Sequence, residues 1–181
     1  TAYARQGGGI YIYNWSDVEI VDNEICRNWS SSGGGIYAWK GVGLIARNHI
    51  WGNYATHIGG AIGLHPSEGE PFSIMTVVNN VIEGNVTGPG GRGGGVFLSQ
   101  GNSIVVNNTI VGNTADANSG AGVAFEAGAY ADLRNNIIAN NTGGFGIHVK
   151  YYSYLPVDPD ITSNDLWNNP VSYTHLTLPT N

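Results

Sequence analysis

Charge is scarce in this chain of 181 residues: Asp, Glu, Lys and Arg together make up 11% of it. Only 7 residues are Lys or Arg, against 13 that are Asp or Glu, for a net charge of −6. Nucleic acid is therefore not an expected partner, because phosphate backbones are held by clusters of Lys and Arg. Cysteine is almost absent. Cys26 stands alone, which excludes an internal disulfide framework and a cysteine-based zinc site. No run of about 20 apolar residues occurs, so no segment reads as a membrane-spanning helix. GxSxG, HExxH and P-loop motifs are missing too, and with them the usual signatures of acyl transfer, zinc proteolysis and nucleotide binding. No cofactor is expected.

What the chain has in quantity is glycine, 28 residues in all. Each glycine inside a helix costs about 1 kcal/mol, and the short apolar runs alternate with period two, which reads as strand. The glycines recur as openers of apolar runs: Gly7-Gly8-Gly9-Ile10, Gly33-Gly34-Gly35-Ile36, Gly59-Gly60-Ala61-Ile62, Gly93-Gly94-Gly95-Val96, Gly120-Ala121-Gly122-Val123 and Gly143-Gly144-Phe145-Gly146-Ile147. Each opener is followed by a pair of asparagines five positions apart: Asn23/Asn28, Asn48/Asn53, Asn80/Asn85, Asn108/Asn113, Asn136/Asn141 and Asn164/Asn169. A phrase repeated every 25–30 residues or so is one supersecondary unit stacked on copies of itself.

Aligned by phrase, the aliphatic residues fall into three columns. One runs Ile10, Ile36, Ile62, Val96, Val123, Ile147. The second runs Ile20, Ile45, Val77, Val105, Leu133, Ile161. The third runs Ile25, Ile50, Ile82, Ile110, Ile138, Leu166. Columns that stay apolar imply a continuous internal core, with three short strands and intervening turns per coil. The asparagines have a structural reading. Asn23, Asn48, Asn80, Asn108, Asn136 and Asn164 would form a ladder, each side-chain amide passing to the next coil at a bend that would otherwise bury unpaired polar groups.

With these residues in view, the chain resembles the right-handed parallel β-helix repeats of bacterial surface and secreted proteins. The GGGI/GGAI openers and NNxIxGN closers carry the resemblance, which covers Gly7 to Asn169. It implies an all-β solenoid of about six rungs at the surface of, or outside, a prokaryotic cell. The same scaffold serves pectate lyases, polygalacturonases, epimerases, tailspikes and passive adhesins, so it does not choose an activity. The NTD, DD, GHG and RIK elements of polygalacturonases and the RxPxxR of pectate lyases do not occur. Two functions stay open: a structural or binding solenoid for glycans or other surface polymers, and part of a polysaccharide lyase or hydrolase.

The chain begins at Thr1 without Met, close to an opener, and is expected to be cut at both ends, with a repeat domain over 1–170. The stretch Val171–Leu176 can be encoded by a sequence resembling a sequencing-library adapter. Val171–Asn181 is therefore expected to be a non-native tail rather than a cap, and His175 within it is not expected to belong to a site.

Candidate site residues lie on the outward positions of the first strand. One outward column reads Tyr11, Tyr37, Gly63, Phe97, Ala124, His148, and the other reads Tyr13, Trp39, His65, Ser99, Glu126, Lys150. Tyr11, Tyr13, Tyr37, Trp39, His65 and Phe97 are candidate ligand-binding residues, since aromatic faces pack on sugar rings. Stacking between coils is the competing reading. His65 is a candidate general base. Glu126 and Lys150, on adjacent coils, read as an ion pair or as a catalytic acid with its charge partner. Asp132 and Asp160 share a column, and read as turn formers, as an acid–base pair, or as calcium ligands. Arg92 reads as a solvated loop tip.

Overall fold

The computed structural model describes residues 6–65, 74–152 and 157–170. The expected non-native tail Val171–Asn181 lies outside the described residues. Within them the chain is all β and winds as a parallel solenoid, in which every strand pair is parallel. No helix among the described residues is long and apolar enough to cross a membrane.

Each coil contributes to three main faces. The first face stacks Ile10–Tyr13, Ile36–Trp39, Ile62–His65, the first halves of Val96–Val106 and Gly120–Arg134, and Phe145–Val149. The second face stacks Asp17–Val21, Val42–Ala46, Met75–Val78, the second halves of the same two long strands, and Asp160–Thr162. The two long strands pass from the first face to the second through left-handed backbone at Gln100–Gly101 and Ala127–Gly128 rather than through a loop. The third face is a six-stranded sheet running Glu24–Cys26, His49–Trp51, Val81–Glu83, Thr109–Val111, Ile137–Ala139 and Asp165–Trp167.

All three aliphatic columns hold residue for residue. Ile10 pairs with Ile36, Ile45 with Ile20 and Val77, and Ile110 with Ile82 and Ile138. Ile36, Ile45, Ile50, Ile62, Ile82, Ile110 and Leu133 are fully buried. Burying one such side chain contributes roughly 1.5–3 kcal/mol. The first face adds a further inward column, including Ala38, Leu64, Leu98 and Phe125, which closes the core.

A fourth, shorter sheet precedes the glycine openers. It consists of Trp29–Ser32, Tyr54–Ile58 and Val86–Thr87, and isolated bridges at Thr114 and Thr142 carry it forward. The expectation of three strands per coil is corrected here, since Trp29–Ser32 and its stacked counterparts are strands rather than turns. The inward residues of this sheet, Ser30, Ala55, Thr87 and Ala115, are buried but small. They carry none of the aliphatic signature by which the other faces can be read.

Two asparagine columns edge the third face. In mid-solenoid, Asn80 donates from its backbone N–H (2.9 Å) and from Nδ2 (3.0 Å) to Asn108 Oδ1. Asn108 does the same toward Asn136 Oδ1, at 2.9 and 3.0 Å. The second column, Asn28–Asn53–Asn85–Asn113–Asn141–Asn169, repeats the pattern. The Nδ2 groups also reach backbone carbonyls of the neighbouring coil, as Asn108 does to Val77 at 2.9 Å. Every polar atom of a buried asparagine is thereby occupied, which is what burial of an amide demands.

Candidate functional site

The first-face strands set the site, and the glycine openers decide which of their side chains are free. Gly33, at φ +61°, folds back over the outside of its own strand, and a Cβ there would lie 2.6 Å from Tyr37 Cβ. The Tyr37 ring turns toward the next coil and lies over Gly63, where an added Cβ would stand 2.7 Å from Tyr37 Cδ2. Tyr37 is 2% exposed and Phe97 is 4% exposed. The expectation that Tyr37 and Phe97 project outward as ligand-binding residues is therefore corrected: the openers cover that column. Only its ends emerge, at Tyr11 and His148. Burial, with a smaller effect from Tyr11, pushes the Tyr37 phenol up to about 12.

The other column stays open at its amino end. Tyr13 is 57% exposed and stands in register with half-buried Trp39. Trp39 stacks on His65 with ring centroids 4.3 Å apart and planes 11° from parallel. Tyr11 lies 5.7 Å from Tyr13 and 6.0 Å from buried Tyr37, so the amino end of the strip holds two ring groups, Tyr11 with Tyr13 and Trp39 with His65, set side by side by strand register. Ser99 Oγ lies 2.7 Å from His65 Nδ1 and connects the strip to the next coil.

Beyond Ser99 the column turns polar and closes. Glu126 is 2% exposed, and its Oε2 forms an ion pair with Arg92 and accepts a hydrogen bond from Tyr152 Oη at 3.3 Å. Its Oε1 is buried without a partner. Lys150 is exposed and lies over the Tyr152 ring, 5.3 Å from its centroid. The expected Glu126–Lys150 ion pair is thus replaced by Glu126–Arg92, and Arg92 is not a solvated loop tip. Its guanidinium also sits 5.9 Å from the Phe97 ring centroid. His148 Nδ1 is a second buried atom without a partner. Burial pushes the His148 imidazole below its ordinary range, Lys150 adds to this, and Glu126 opposes it.

Asp132 and Asp160 pair in register on the second face. Asp132 Oδ2 is held by Arg134 at 2.7 Å, while Asp160 is exposed. No third His, Cys, Asp or Glu joins them in a cation-sized cluster among the described residues. The structure therefore draws Trp39, His65 and Ser99 into one contact chain and Arg92, Glu126 and Tyr152 into a second, on the same column. It leaves Asp132 and Asp160 apart from both. Sequence reasoning took Arg92 for a loop tip and passed over Tyr152. The available signal was the Arg itself: the other openers follow Gln6, Ser32, Ile58, Ser119 or Thr142, and a lone cation there lies one coil from the lone buried-column carboxylate.

The family model described as "Right handed beta helix region" matches residues 1–124 and 73–172. No curated protein and no solved structure matches the chain.

Proposed function

Taking as premise that the chain belongs to the right-handed β-helix family, we propose that it is a binding solenoid, secreted or held at the surface of a prokaryotic cell, that recognises a glycan or similar surface polymer. The observation that carries this reading is the open strip of Tyr11, Tyr13, Trp39 and His65 across three adjacent coils. Coils about 4.8 Å apart offer an extended polymer successive ring faces along the axis. Rings held by neighbouring rings lose little freedom on binding. Binding of this kind depends on ring packing and only weakly on salt.

The test is titration of plant, algal and microbial polysaccharides against the parent protein, Trp39→Ala and the control Trp167→Ala. Trp167 is exposed on the third face, away from the strip. The reading requires that Trp39→Ala lose most of the binding and Trp167→Ala none. It is abandoned if the parent binds nothing or both variants bind like the parent.

Cleavage of a polysaccharide, as lyase or hydrolase, is the second reading, and buried Glu126 beside Arg92 is the observation in its favour. A carboxylate with one oxygen held and the other unpartnered resembles a poised acid or base. Release of new reducing ends, or of unsaturated products absorbing in the ultraviolet, that is lost in Glu126→Gln would favour it over binding alone.

A further inference from the structure

The third face carries a recess of about 370 Å³ lined by Trp51, Gly52, Glu83, Gly84, Val111, Gly112 and Asn140. It lies away from the aromatic strip and depends on a different column. At the end of each third-face strand the chain passes through left-handed backbone, at Arg27, Gly52, Gly84, Gly112, Asn140 and Asn168. Glycine meets that demand, but so does Asn at the last two coils and Arg at the first. Packing does not require glycine either. A Cβ on Gly84 would meet nothing within 4 Å, and one on Gly52 or Gly112 would meet a single atom at 3.8 or 3.9 Å. Three consecutive side-chain omissions thus create a notch about three coils long, some 10–14 Å at the usual strand spacing.

Its wall is prepared. The Trp51 indole N–H donates to Glu24 Oε1 at 2.8 Å, and the Arg27 guanidinium lies 4.7 Å from the ring centroid. A tryptophan on a surface sheet that is fixed from two sides presents a rigid apolar plane. Beside it, Glu83 Oε1 is engaged with His49 Nε2 at 2.9 Å. Glu83 is the one charged residue of the lining and its Oε1 is already engaged by His49, so the recess has no cation to hold an anionic guest and its remaining polar atoms suit hydroxyl groups. A volume of this size is at the small end of ligand pockets. It suits one or two sugar rings rather than a peptide segment.

We propose that this recess is a second binding site that takes one or two residues of an uncharged saccharide, with one ring against Trp51 and its hydroxyls toward Glu83 and Asn140. The site does not rest on the strip reading and can exist without it.

The experiment is a ¹H–¹⁵N chemical-shift titration of the full chain with neutral disaccharides (cellobiose, maltose, lactose and xylobiose), repeated on Gly84→Asn and Trp51→Ala. The amides of Gly52, Gly84 and Gly112 should shift in the parent. Gly84→Asn keeps the backbone conformation that Asn140 and Asn168 already adopt, so it should fold and melt like the parent while filling the notch. Both variants should weaken binding by about tenfold or more. Trp39→Ala should leave the Gly84 shifts unchanged, which separates this site from the strip. The proposal is overturned if no disaccharide moves these amides, if shifts appear only around Tyr13 and Trp39, or if Gly84→Asn binds like the parent. It is also overturned if sedimentation shows a dimer that Gly84→Asn dissolves, since the recess would then be an interface between two copies.

Discussion

Two columns run the length of the same solenoid in opposite ways. The asparagine column Asn23–Asn48–Asn80–Asn108–Asn136–Asn164 repeats one side chain six coils deep, and each copy makes the same bonds to the next. The outward column Tyr13–Trp39–His65–Ser99–Glu126–Lys150 changes residue at every coil. A position answering only to its neighbours above and below settles on one solution and keeps it. Where the outward column stays open, at Tyr13, Trp39 and His65, it is free of that demand, and the changes of chemistry there make it the place to look for recognition. Repetition marks what holds the solenoid, and variation marks what it presents.

The comparison breaks most readily at Asn108. Asn108→Leu removes the acceptor for Asn80 and the donors to Val77, Val106 and Asn136. With each orphaned buried group costing about 1–3 kcal/mol, the loss should reach about 3 kcal/mol or more. Asn118→Leu, on an exposed turn, should stay within about 0.5 kcal/mol. Urea denaturation of the two variants measures both, and equal midpoints would remove the distinction between the columns.

A smaller effect is expected from Tyr37, which belongs to the first face but is roofed by glycine. Its folded-state pKa of about 12 lies above the unfolded value of 10.0. The folded chain therefore binds more protons between those values, and stability falls as pH rises from about 10 to about 12. The contribution at stake is about 2–3 kcal/mol. Tyr37→Phe should flatten that part of the stability curve. An alkaline limb that is the same in both proteins would mean that Tyr37 is as open as Tyr13.

Arg92 sharpens the contrast within the outward column itself. Arg92→Ala leaves the Glu126 carboxylate buried without its cation. The cost should be about 2 kcal/mol, below that of a wholly buried pair because Arg92 is partly exposed. Adding Glu126→Gln should restore much of it. A double variant no more stable than Arg92→Ala would show that the two residues are not coupled.

The aliphatic registers were legible in sequence because a large aliphatic side chain at one position per coil has a single physical reason, a shared interior. The fourth sheet was not, because Ser30, Ala55 and Thr87 are small and fit core or turn alike. Alternation placed Tyr37 and Phe97 outside. It could not reveal that the preceding glycines fold over them, since that cover comes from backbone and leaves no side-chain signal. The Arg92–Glu126 pair joins an opener in one coil to a strand in the next, across 34 positions, and no local pattern marks it. The third-face recess was hidden for the opposite reason: it is made of absent side chains, and a glycine at a left-handed bend asks for no further explanation until neighbouring coils are seen to manage with Asn.

The most direct test of the central claim measures Trp39→Ala twice, for polysaccharide affinity and for thermal midpoint. Trp39 projects from the core and meets His65 ring to ring. If the varying column presents and the repeating column holds, affinity should fall by about tenfold or more with the midpoint within about 2–4 °C of the parent. A midpoint that drops sharply while affinity is unchanged would contradict the account and make the strip part of what holds the solenoid together.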